Sequence, residues 1–151
     1  MCIRARIILS GKGWRHVTVT AKLKFGKQVE FKMSQLPGTY KLIEYGYSSK
    51  KGQPFKPISD WYSGTIHYSD TGYMNVIVRF AEKPEELTDF VAYSGSYKIE
   101  GSEIINQVQD SARPEYIGQS LNRIFKIQDD VLYTEFENTD EFIKFARWQR
   151  L

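Results

Sequence analysis

From residue 38 onward, apolar and polar positions alternate in short runs separated by turn residues. Residues 73–80 show this most cleanly. Met74, Val76, Val78 and Phe80 fall on one face and Asn75, Ile77 and Arg79 on the other, the period of two of a half-buried strand. Leu121, Arg123, Phe125 and Ile127 share a face within 119–128, Leu132, Thr134 and Phe136 within 131–137, and Tyr97 and Ile99 within 95–100. With 38–47, 63–69, 103–110 and 142–149 the pattern predicts eight strands. Segment 38–47 alternates poorly, as a strand covered on both faces would. Asp70-Thr71-Gly72 between two runs is a hairpin signal, and Gly101-Ser102, Asp129-Asp130 and Asn138-Thr139-Asp140 separate later runs. Residues 48–60, with Pro54 and Pro57, read as a loop. One segment departs from the pattern: Pro84, Glu85 and Glu86 precede Leu87, Phe90 and Val91 at i, i+3, i+4, which predicts a short helix over 84–93. Sequential strands with short connections form a meander, and eight strands hide their edges by closing into an up-and-down antiparallel barrel. The expected class is therefore all-β, with room inside for side chains or one small ligand.

The N-terminal segment has a different character. Residues 1–32 hold eight Lys/Arg and one acid, Glu30, a net charge of +7, whereas residues 33–151 carry −4. The whole-chain charge of +3 thus belongs to the arm. From His16 the arm alternates through Val17, Val19, Ala21, Leu23 and Phe25, passes Gly26-Lys27-Gln28, and resumes at Val29 and Phe31. It reads as an extra N-terminal hairpin. An equal reading takes Met33-Ser34-Gln35-Leu36-Pro37 as the natural start and the arm as translated upstream sequence. Lys22, Lys24, Lys27 and Lys32 interleaved with Leu23, Phe25 and Phe31 would suit nucleic acid, but the acidic body offers no such surface, so nucleic acid is the minor expectation.

Composition narrows the chemistry. Aromatic residues make up 15% of the chain, and apolar runs are far too short for a membrane-spanning helix. The single cysteine, Cys2, excludes an internal disulfide framework, and with only His16 and His67 it leaves no nitrogen–sulfur zinc cluster. Ile7-Ile8-Leu9 is too short for a signal-peptide core, which points to a cytoplasmic protein. Phosphate-loop, dinucleotide and nucleophile-elbow motifs are absent, so neither cofactor nor metal is expected.

Five short patterns in series resemble the lipocalin-like domain family of bacteria and fungi, small relatives of the calycin barrels. Gly38-Thr39-Tyr40-Lys41-Leu42 resembles the first strand of that family, with Tyr in place of Trp. Gly64-Thr65-Ile66-His67-Tyr68-Ser69-Asp70-Thr71-Gly72-Tyr73-Met74 is similar to its first hairpin. Phe90-Val91-Ala92-Tyr93-Ser94-Gly95-Ser96-Tyr97 matches the passage from a short helix into the fourth strand. Pro114-Glu115-Tyr116-Ile117-Gly118-Gln119, then Arg123 and Phe125, resembles a Pro-x-Trp-x-Gly loop and the strand after it. Arg147-Trp148-Gln149-Arg150 looks like the closing strand. The resemblance covers residues 36–150. It implies a barrel with an internal cavity; some fungal relatives isomerise or cyclise a bound hydrophobic compound without a cofactor. Two departures stand out: Asn106-Gln107 occupies a place where such members often carry a His pair, and the arm has no counterpart. No histidine-dependent chemistry is therefore carried over.

The candidate site follows from the inward faces. Met74, Val76, Val78, Tyr97 and Phe125 would line the cavity, with Arg123 as polar anchor and Trp61, at the exit of the 48–60 loop, as a lid. Arg123 would hold a carboxylate or enolate through its paired donors. The competing reading makes it a plug over an aromatic such as Tyr40, as calycin barrels use, with Arg147 as the other candidate plug. Tyr68, Tyr93, Tyr97 and Tyr116 could present hydroxyls to a ligand. For turnover, Tyr97 and His67 are the candidate acid–base groups. Binding or carriage of a small hydrophobic molecule is the leading expectation, cofactor-free isomerisation or cyclisation the alternative.

Overall fold

The computed structural model describes residues 5–9, 17–22, 28–32, 35–51, 54–86 and 89–151. They fall into two compact units, Met1–Gln35 and Leu36–Leu151. In the first, strands β1 (Ala5–Leu9), β2 (Val17–Lys22) and β3 (Gln28–Lys32) form an antiparallel sheet in the order β1-β2-β3. The expected arm hairpin corresponds to β2 and β3, paired from Thr18↔Lys32 to Lys22↔Gln28, and β1 adds a strand the sequence reading did not name. His16, Leu23, Lys24, Phe25 and Lys27, which that reading also used, lie outside the described residues.

The second unit is the barrel. Its strands are β4 (Gly38–Ser49), β6 (Trp61–Tyr68), β7 (Tyr73–Ala81), β8 (Asp89–Glu100), β9 (Glu103–Ser111), β10 (Ser120–Gln128), β11 (Val131–Asn138) and β12 (Phe142–Arg150). Each pairs antiparallel with the next, and β12 returns to pair along β4, so the eight strands close without an open edge. A two-residue strand, β5 (Lys56–Pro57), lies against β4 at Gly46 and Tyr47. A Cβ at Gly46 would strike the Lys56 carbonyl and the Phe55 ring, so glycine is what lets this loop cross the strand.

The weak alternation of β4 has a local cause. Arg147 pairs with Glu44 but Trp148 pairs with Leu42, which leaves Ile43 as an extra residue. Tyr40 and Leu42 therefore point inward before this bulge and Tyr45 after it, while Ile43 stands 46% exposed. A second irregularity lies at Ser94/Gly95 on β8, where any Cβ would run into the Gln107 carbonyl.

The helix expected over 84–93 is not there. Asp89 to Tyr93 already belong to β8, with Asp89 opposite Phe80, Phe90 opposite Arg79 and Val91 opposite Val78. Pro84 and Glu85 sit in a turn closed by the Glu86 amide donating to the Lys83 carbonyl at 3.1 Å; Leu87 lies outside the described residues. A helical stripe of three residues cannot repay helix nucleation, whereas the same stretch of β8 gains a ladder bond with β7 at every other residue.

Antiparallel threading gives the barrel two unlike ends. At one end stand the tight turns at Asp70-Thr71-Gly72, Gly101-Ser102 and Asp129-Asp130, and both Asp129 and Asp130 adopt positive φ, 51° and 62°. This end is plugged. The Arg150 guanidinium lies 4.6 Å over the Tyr40 ring, donates to the Tyr40 hydroxyl at 2.6 Å and to the Pro37 carbonyl at 2.7 Å. Tyr40 in turn donates to the Leu36 carbonyl at 2.7 Å. Neither Arg123 nor Arg147 has the plugging role: Arg147 faces outward, on Glu44 at 3.1 Å. Register decides this: Arg150 is the β12 residue opposite Tyr40, whereas Arg147 lies opposite Glu44 on the far side of the bulge.

Candidate functional site

The end opposite the plug carries the longer connections and opens into a cavity of about 220 Å³. Its deep wall is Ile66, Tyr68, Asn106 and Trp148; Val76, Tyr93, Arg123 and Thr134 form the middle. Val78, Phe80, Val91, Tyr45, Tyr116 and Phe136 surround the mouth, with Lys144 and Glu137 at the rim. Tyr116 is placed there by a single 3-10 turn, Pro114–Tyr116, packed edge-on to Tyr93 with ring centroids 6.2 Å apart. Gly118 ends that turn at φ 83°, a left-handed conformation that glycine adopts without cost. An Arg113–Asp89 ion pair at 2.6 Å ties the loop to the start of β8.

The polar groups of this wall divide into the satisfied and the unsatisfied. Trp148 Nε1 donates to Thr134 Oγ1 at 3.0 Å, a buried bond that fixes the floor. By contrast, the Tyr68 hydroxyl, both amide atoms of Asn106 and Arg123 Nε have no hydrogen-bond partner among the described residues. Tyr68 and Asn106 are each only 1% exposed. Their side chains approach one another without closing a bond in good geometry, and the same is true of Arg123 and the Tyr93 hydroxyl. A buried polar atom with no partner costs about 1–3 kcal/mol, so three such residues around one cavity call for a reason.

Electrostatics make the cavity a donor-rich place. Burial pushes the Tyr45, Tyr68 and Tyr93 phenols upward, so all three stay protonated through the physiological range; the nearby Arg123 charge lowers each by less. Arg123 stacks 4.7 Å over the Phe136 ring and spends Nη1 on the Asn122 carbonyl at 2.8 Å. Lys144 sits 5.7 Å from both the Tyr45 and Tyr47 rings. Desolvation pulls its pKa down, Glu137 pulls it up, and the Arg123 charge lowers it further.

Of the residues singled out from sequence, Val76, Val78 and Arg123 line the cavity, as do the hydroxyl-bearing Tyr68, Tyr93 and Tyr116. Met74 is fully buried and Phe125 partly so; both pack in the core without reaching the cavity wall. Tyr97 stands at the plugged end, donating to the Ser69 carbonyl at 2.5 Å with its ring 4.9 Å from that of Tyr68. His67 lies between Thr39 and Asn75, its Nδ1 2.9 Å from Thr39 Oγ1. Trp61 carries the Arg79 guanidinium 5.4 Å over its ring and is not part of the lining. Sequence reasoning placed Thr134 inward and noted Asn106 in place of a His pair without giving either a site role, and it passed over Tyr45 and Lys144. Two of these had a signal: Asn106 is the lone amide in an inward stripe with Ile104 and Val108, and Lys144 alternates with Ala146 and Trp148.

A family model described as a lipocalin-like domain matches residues 37–151, the whole of the barrel unit but for its first residue. No match was found among curated proteins or among solved structures. Among the described residues no helix is long and apolar enough to cross a membrane.

Proposed function

Because the chain belongs to the lipocalin-like domain family, we propose that its barrel binds or carries a small, partly hydrophobic molecule in the cavity above Trp148. One observation carries this reading: buried hydrogen-bonding atoms of Tyr68, Asn106 and Arg123 border a space walled by Val76, Val78, Phe80 and Val91 and have no partner among the described residues. A few convergent polar groups in an apolar wall are the usual make-up of a small-molecule site. The volume sets the scale. A dry cavity of about 150 Å³ accommodates benzene, so about 220 Å³ suits one ring with a few further heavy atoms rather than a long-chain lipid.

Binding is favoured over turnover by the placement of the acid–base candidates. His67 is occupied with Thr39, and Tyr97 with Ser69 at the plugged end. Native mass spectrometry of protein purified from its own host tests the proposal. A stoichiometric small-mass adduct, lost on denaturation and absent from a Val78→Trp variant that fills the cavity, is expected. A bare chain that also takes up no one-ring compound in titration would refute it.

A further inference from the structure

We infer that the cavity takes its guest head-first as an anion: a carboxylate enters toward Asn106, Tyr68 and Arg123, and the apolar remainder of the molecule lies toward the mouth. This rests on the binding role proposed above and adds the charge, chemical class and direction of the guest.

The unpaired groups are mostly donors. Tyr68 and Arg123 each hold one unpaired hydrogen and Asn106 two, while the amide oxygen is the one strong acceptor among these atoms. Turning the Tyr68 hydroxyl onto that oxygen would still leave the Asn106 amide hydrogens and Arg123 Nε–H without an acceptor. The site lacks acceptors, so its complement supplies them. A carboxylate offers about four lone-pair sites, and charge-assisted bonds to it are the strong ones.

Charge points the same way. The lining residues include two cations, Arg123 and Lys144, and one acid, Glu137, which is exposed at the rim rather than set among the deep donors. Topology then sets the direction. Asn106 lies opposite Leu121 on β10, two residues before Arg123, so both project into the barrel as diagonal neighbours across β9 and β10. Tyr68 ends β6 beside the plugged end, whereas Phe80 and Val91 stand at the loop end. Tyr68 and Asn106 are therefore the deepest of the unpaired donors, Arg123 stands at mid-height above them, and the apolar ring of Val78, Phe80 and Val91 lies toward the mouth. This is the reverse of a cavity that swallows a hydrocarbon tail and leaves the acid in water.

Calorimetric titration of the full chain at pH 7.5 with benzoate, methyl benzoate and 4-hexylbenzoate tests each element. Benzoate is expected to bind roughly tenfold or more tightly than its uncharged ester, the size of effect for hydrogen bonds to an ionised group. Arg123→Gln should reduce that preference to within about threefold while methyl benzoate still binds, which also shows that the variant is folded. 4-Hexylbenzoate should bind at least as well as benzoate, since its tail leaves through the mouth. Equal or tighter binding of the ester, or a preference unchanged in Arg123→Gln, overturns the anionic head while leaving the binding role intact. Exclusion of 4-hexylbenzoate overturns the direction. Failure of both benzoate and its ester to bind removes the binding role itself.

Discussion

Replacing Asn106 by leucine should make the ligand-free protein more stable. Asn106 is 1% exposed, and neither its amide nitrogen nor its oxygen has a partner among the described residues. Leucine has nearly the same shape and carries no polar atom. Burying the amide group with its hydrogen bonds unmade costs about 1–3 kcal/mol. The adjoining cavity of about 220 Å³ has room for water at about 30 Å³ per molecule, so the lower figure applies. Burying the extra apolar surface adds part of the roughly 1.5–3 kcal/mol of a fully buried leucine. The net expectation is a gain of about 1–2 kcal/mol. In urea, with m of about 2 kcal/mol/M, that is an upward shift of the midpoint by about 0.5–1 M at unchanged slope. Tryptophan fluorescence follows the transition, since Trp148 forms the cavity floor. Thr134→Val provides the contrast. It removes the acceptor 3.0 Å from Trp148 Nε1, orphans a buried N–H and should cost about 1–3 kcal/mol. Opposite signs at two polar positions of one wall would separate the group that holds the fold from the group held for a guest. A loss of 1 kcal/mol or more in Asn106→Leu would refute the reasoning, because it would mean that the amide is satisfied within the native protein.

Other consequences are open to simple measurements. Arg150→Met removes the hydrogen bonds to Tyr40 and Pro37, the ion pair with Asp130 and a cation–π contact from the plug, so urea unfolding should report a loss of about 2–4 kcal/mol, and a loss under 0.5 kcal/mol would show the plug to be inert. Gly95→Ala pushes a methyl group into the Gln107 carbonyl and should cost about 1–3 kcal/mol; a neutral result would mean that the β9 bulge at Gln109, opposite Gly95, relaxes freely. Burial raises the pKa of Tyr40 and Tyr133 to about 12 and those of Tyr45, Tyr68 and Tyr93 as well, against about 10 in the unfolded chain. Between pH 10 and 12 the unfolded state binds fewer protons than the native one. Stability is therefore fully present below pH 10 and falls as pH rises through that window. Phenolate absorbance should show native protein at pH 11 ionising markedly fewer of its ten tyrosines than urea-unfolded protein does, and coincident titrations would contradict the burial of these rings. We also propose that the barrel unit, Leu36–Leu151, folds and binds without residues 1–35, and that any nucleic-acid affinity, salt-sensitive by its nature, resides in those residues. Deletion of 1–35 followed by calorimetry and a nucleic-acid shift assay checks both statements.

What the amino-acid sequence determined by itself was everything governed by the period of two and by turn chemistry. Met74, Val76 and Val78 are buried because alternation assigns a face wherever one side of a strand is apolar, and the strand boundaries follow the Gly, Asp and Asn punctuation between runs. Chain closure was readable too, since eight meandering strands have no better way to lose two edges. Where one short stretch suited two periods, the sequence misled: Leu87, Phe90 and Val91 have helical spacing, but Val91 and Tyr93 are claimed by pairing with Val78 and Val76. Tertiary structure alone decided the height of each inward residue along the barrel. Alternation reports the face and is silent on the level, which depends on register, on the bulge at Ile43 and on the hairpin turns. Hence Tyr97 and Arg123, both inward on paper, end at the plugged end and in the cavity respectively, and the plug fell to Arg150 rather than Arg123. The unpaired state of Asn106 is likewise a property of three dimensions, because its partner would have to be brought within about 3 Å by strands distant in sequence, and among the described residues none is.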